Sequence, residues 1–148
     1  MSADPAFTHR PSLTIRRRIN AAPAKVFAAW TEPALIARWF GPDAGPVEKA
    51  EIDLRIGGRF DIAFRTEDGE RHTVRGAYRE IVPDTKLVFS WSWISTPERV
   101  SQVTVSLKAD GGGTLLTLLH EQFFDQAARD GHNRGWTGSL DKLERLFA

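Results

Sequence analysis

Apolar residues recur along this chain in two rhythms, and the places where the rhythm changes mark out the elements. Residues 13–20, LTIRRRIN, alternate: Leu13, Ile15, Arg17 and Ile19 share one side, and Thr14, Arg16, Arg18 and Asn20 the other. Successive side chains of a strand point to opposite faces, so this segment predicts a strand with one largely apolar face. Val26, Phe27 and Trp30 then form a helical stripe behind Pro23, which suits a helix's first turn because its missing N–H is not needed there. Pro33 restarts a second short helix carrying Leu35, Ile36 and Trp39, and Gly41-Pro42 stops it.

From Val47 to about Glu121 the period returns to two. Breaks fall at Gly57-Gly58, Asp68-Gly69, Pro83-Asp84, Ser95-Thr96-Pro97 and Asp110-Gly111-Gly112-Gly113, residues that supply the backbone angles of tight hairpins. They bound six strands, near 47–55, 59–66, 71–82, 86–94, 100–109 and 114–121, and such short connections imply an antiparallel meander. The helical rhythm closes the chain, with Trp136, Leu140, Leu143 and Phe147 in one stripe. This helix begins between Asp125 and Asn133, and Asp141 and Arg145 are spaced as an exposed pair on it. Gly131, Gly135 and Gly138 would each cost about 0.8–1 kcal/mol against alanine inside it. Either the helix starts late or the glycines make room for something.

The sum is an α+β chain, a curved seven-stranded antiparallel sheet around a long C-terminal helix, with two short helices after strand 1. Residues 1–11 read as a loose polar tail and residues 12–148 as one domain. Four stretches, taken in this order, resemble the START-like (SRPBCC) helix-grip superfamily. They are AAPAKVFAAWTEPALIARWFGP (21–42), DLRIGGRFDIAF (53–64), GAYREIVPDTKLVFSWSW (76–93) and GWTGSLDKLERLF (135–147). The chain is most similar to the branch of homologues of the activator of the 90-kDa heat-shock protein ATPase. That resemblance implies the helix-grip fold and a cavity between sheet and long helix. It leaves the chemistry open, because the superfamily holds lipid carriers, hormone receptors, polyketide cyclases and co-chaperone domains. The eukaryotic activators carry a further N-terminal domain where this sequence has only its short tail.

KLVFSWSW (86–93) gives the cavity its candidate lining, since Leu87, Phe89, Trp91 and Trp93 share a face. Phe60, Phe64 and Tyr78 join them by the same parity. Trp39 and Phe40 stand before the Gly41-Pro42 break, near the expected mouth, and Trp136 and Leu140 answer from the helix. His120 ends a strand on the face of Leu116 and Leu118, and His132 lies one helical turn before Trp136. These two histidines, or Tyr78, are the candidate acids and bases of an enzymatic reading, and the histidines are otherwise hydrogen-bonded rim residues. Arg17 has the parity of the apolar side chains and either snorkels past the sheet edge or directs a fixed charge at the cavity.

Composition narrows the classes. The 148 residues carry 20 basic and 19 acidic side chains, a net charge of +1, which argues against a nucleic-acid or membrane-surface binder. No run approaches the roughly 18 apolar residues of a membrane span, and no cysteine is present, so thiol chemistry and disulfides are excluded. Four scattered histidines lack the spacing of a metal site, and Gly57-Gly58 precedes a strand, not the helix a phosphate loop needs. The expectation is therefore a cytoplasmic monomer or homodimer, with no metal or other cofactor, that binds a small apolar or aromatic molecule. A chaperone-associated protein-interaction module and a polyketide cyclase-like enzyme are the alternatives, with a chaperone or other protein as the alternative partner.

Overall fold

The structure, a computed structural model, describes residues 10–148. Most of the expected tail lies outside that range. Of its last two residues, Pro11 is joined to the fold, its carbonyl accepting from the Phe123 N–H at 3.2 Å.

Strand β1 (Leu13–Ile19) leads into helix α1 (Pro23–Thr31) and the single turn α2 (Pro33–Ile36). Six strands follow: β2 (Val47–Ile52), β3 (Arg59–Arg65), β4 (Arg71–Val82), β5 (Lys86–Trp93), β6 (Ser101–Asp110) and β7 (Gly113–Glu121). Helix α3 (Gln126–Leu146) closes the chain. The sheet order is β1-β7-β6-β5-β4-β3-β2, antiparallel throughout, so β2 to β7 form the expected meander and β1 returns to pair with its last strand. Strand β2 is shorter than its alternation suggests. Residues 53–58 instead make the turn into β3, in which Gly57 takes a φ of +79° that disfavours any other residue.

Strand β1 keeps unbroken register with β7, from Leu13 opposite His120 to Ile19 opposite Thr114. Arg17 therefore does lie on the helix-facing side. It points neither past the edge nor into a cavity: its guanidinium binds Asp141 of α3 at 2.7 Å and also Glu144. This corrects the expected Asp141–Arg145 pair, since Asp141 is engaged across the fold.

Helix α3 starts at the early limit of its expected range. Asp125 is its N-cap, the carboxylate accepting from the Ala128 N–H at 2.8 Å. All three glycines are thus helix interior, and they make room for different things. A Cβ on Gly138 would sit 2.0 Å from the Pro42 carbonyl oxygen, so the chain after α2 presses directly on the helix there. The Ser139 hydroxyl fastens that contact by donating to the Gly41 carbonyl at 2.9 Å. At Gly131 and Gly135 the nearest neighbours would be 3.8 and 4.0 Å away, and the space beyond is open.

Candidate functional site

That open space is a cavity of about 610 Å³ between α3 and the sheet. Its sheet side is Phe64 of β3 with Trp91 and Trp93 of β5, brought together by strand parity. Gly131, Gly135 and Trp136 form the helix side, and Phe40 closes the end toward α2. Several of its rings meet edge to face: Trp91 and Trp93 stand at 5.5 Å and 87°, Phe64 and Trp93 at 6.0 Å and 69°.

Two histidines hold these rings. The Trp91 and Trp93 indoles both donate to His132 Nε2, at 3.2 and 2.9 Å. An indole N–H can only donate, so Nε2 carries no proton, and the proton on Nδ1 goes to the Ala128 carbonyl at 2.7 Å. His120 is the opposite tautomer. Its Nδ1 accepts from the Trp136 indole at 3.0 Å, which leaves Nε2–H to donate to the Ser101 hydroxyl at 2.7 Å. Ser101 passes the chain on to the Trp91 carbonyl at 3.3 Å. Both imidazoles are held neutral. Burial pushes His132 below the ordinary histidine value of 6.5, partly offset by its bond to the Ala128 carbonyl. Burial pushes His120 down much further, and proximity to His132 adds to the effect.

A second cavity of about 320 Å³ lies behind this network, between the β5–β6 connection and the start of α3. Trp91, Trp93, Ala128 and His132 line both spaces, so the Trp–His–Trp cluster is the wall between them.

Of the residues singled out in the sequence, Phe40, Phe64, Trp91, Trp93, His132 and Trp136 line the larger cavity. Trp39, Phe60, Tyr78, Phe89, His120 and Leu140 do not, and for them the expectation is corrected. The parity of the strand residues is right, but Trp30 of α1 and Ile36 of α2 cover Phe60, Tyr78 and Phe89 and leave only about 20 Å³ there, while His120 is packed among Trp91, Phe123 and Trp136. Trp39 is fully buried, donating from Nε1 to the Ala29 carbonyl at 2.9 Å and packing edge-on against Trp30 at 4.6 Å. Phe60, Tyr78 and Phe89 pack on one another with centroids 5.3–6.0 Å apart, and burial raises the Tyr78 hydroxyl above its ordinary value. Leu140 and His120 are fully enclosed.

Sequence reasoning missed His72, Thr66, Asp43 and Arg134, which with His132 and Ser139 form the polar part of the lining. His72 has the parity of Val74 on β4, a signal that was there to find. Arg134 and Thr66 carry none, because their places depend on a loop and on how far α3 stands from the sheet. Among the described residues, no three His, Asp or Glu side chains gather as a metal site. Nor is any described helix long and apolar enough to cross a membrane.

Residues 20–148 match the family described as Activator of Hsp90 ATPase homolog 1-like protein. Solved structures are similar over nearly the whole chain. Protein CV1439 from Chromobacterium violaceum is 25% identical, with a TM-score of 0.82 over 93% of this chain and 97% of its own. The AHSA1 protein SPO3351 from Silicibacter pomeroyi is 27% identical, with a TM-score of 0.80 over 92% and 96%. CalU16 from Micromonospora echinospora is 30% identical, with a TM-score of 0.67 over 93% of this chain and 76% of its own. No curated protein matches.

Proposed function

The chain belongs to the Activator of Hsp90 ATPase homolog 1-like family, with helix-grip relatives among solved structures, and from that premise we propose that it binds one small apolar or aromatic molecule between sheet and α3. The supporting observation is the cavity itself. Its 610 Å³ falls within the roughly 300–1,000 Å³ of small-molecule sites. Helix interior positions 131 and 135 are glycine at a cost in helix stability, and the space they leave adjoins aromatic walls. Acid–base catalysis has less support. Both nitrogens of His120 and of His132 are committed to intramolecular bonds, which leaves neither imidazole a free lone pair for a substrate proton.

Native mass spectrometry of the purified protein tests the reading. The expected result is a fraction carrying a noncovalent mass of a few hundred daltons that is lost from Gly135→Leu, in which the side chain occupies the cavity. A bound species retained undiminished by Gly135→Leu would place the ligand elsewhere and overturn the proposal.

A chaperone-associated role, suggested by the family's description, is the second reading. Its support is the exposure of Val100 and Phe124 on the lining of the smaller cavity. Stimulation of an Hsp90-type ATPase by the purified protein would favour it.

A further inference from the structure

The larger cavity has an unusual donor and acceptor inventory. Its three indoles are committed to His120 and His132, and His132 has no nitrogen left. Ser139 donates to the Gly41 carbonyl, and the Thr66 hydroxyl serves Asp68 and Glu70. The Asp43 oxygens accept from the backbone of Gly45 and Glu67, and its carbonyl takes the Lys142 ammonium at 2.6 Å. His72 Nε2 meets the Thr66 hydroxyl at 3.3 Å. Two side-chain groups on the lining remain without a partner among the described residues: the other nitrogen of His72 and the whole guanidinium of Arg134.

Arg134 is exposed at the rim, one helical position from Gly135. An arginine offers five donors in a planar fork that matches a carboxylate. A ligand with several hydrogen-bonding groups would find few free partners on these walls, the second lone pairs of Asp43 and one His72 nitrogen, and would lose most of its water there. A flat apolar body with one anionic group at its edge meets stacking faces inside and a cation at the rim.

We infer that the ligand is an aromatic monocarboxylate, its ring system among Phe64, Trp91 and Trp93 and its carboxylate on Arg134. This rests on the cavity being the binding site, and deepens that reading by naming the ligand class and the residue that selects it.

Three probes of one shape separate the two claims: 2-naphthoate, its neutral primary amide and 2-naphthylmethylamine, each titrated at pH 7.5 and low salt and followed by quenching of tryptophan emission. The expected order is carboxylate first, about two- to fivefold tighter than the amide, as fits an exposed rim ion pair of up to about 1 kcal/mol. Arg134→Gln should abolish that advantage, bringing carboxylate and amide to similar affinities with the urea midpoint unchanged, and Arg134→Lys should keep part of it. Raising the salt should shrink the advantage too. Equal or tighter binding of the amide or the amine, or an Arg134→Gln protein with the preference intact, would overturn the inference and leave the cavity reading standing. No saturable binding of any probe would remove both.

Discussion

His132 is the residue on which the site turns, because one unprotonated nitrogen receives two indole donors. Replacing it with phenylalanine keeps an aromatic ring of similar size but removes the acceptor, leaving the Trp91 and Trp93 N–H groups without a partner. His132→Phe should cost about 1–3 kcal/mol of stability, read as a lower urea midpoint. Protonation attacks the same bond. Both histidines have values below the ordinary 6.5 in the folded protein, so the unfolded chain takes up protons first as the pH drops. Stability is full above about pH 6.5 and is lost below it, by up to about 1.4 kcal/mol per pH unit for each histidine that stays neutral in the fold. Urea midpoints at pH 7.5 and pH 6.0 check this, and a flat profile would mean that the imidazoles are not held neutral. His132→Phe should flatten the profile in part, because His120 remains.

At the scale of elements, α3 is held off the sheet at one end and clamped to it at the other. Gly131 and Gly135 face open space, so alanine at either should raise stability by up to about 1 kcal/mol through helix propensity while weakening probe binding. Gly138→Ala should instead lower stability, since its methyl group would meet the Pro42 carbonyl and force the chain after α2 away. Thermal melts and probe titrations on the three variants separate the roles. Arg17 ties β1 to α3 through Asp141 and Glu144, both more than a third exposed, so solvent screens much of the attraction. Arg17→Ala should cost about 0.5–1 kcal/mol and leave probe affinity untouched. The three glycines were visible in the sequence as a cost without a cause. Which of them served contact and which served space was not, because that depends on where Pro42 lies, a residue nearly a hundred positions away.

Across the whole molecule, the strands and their order were legible because hairpin turns and side-chain alternation are local, and β3 to β7 follow them closely, whereas the register shift between Tyr78 and Glu80 was not legible. The inward direction of Trp91 and Trp93 followed from the same parity. The extent of the cavity did not. Parity assigns a face but not what covers it, and here Trp30 of α1 and Ile36 of α2 close over Phe60, Tyr78 and Phe89, leaving about 20 Å³, while the half beneath Trp93 and Phe64 stays open. Nor does alternation show that Trp91 and Trp93 share one imidazole from a helix some forty residues on. The central claim is that this open half receives a ligand, and the most direct test is a titration of the protein with the uncharged 2-naphthamide, followed by tryptophan emission, beside Gly135→Leu. The expected result is saturable one-to-one quenching by the parent protein, weakened at least about tenfold, near 1.4 kcal/mol, in a Gly135→Leu variant whose urea midpoint is no lower. Quenching that never saturates, or that Gly135→Leu leaves unchanged, would contradict it.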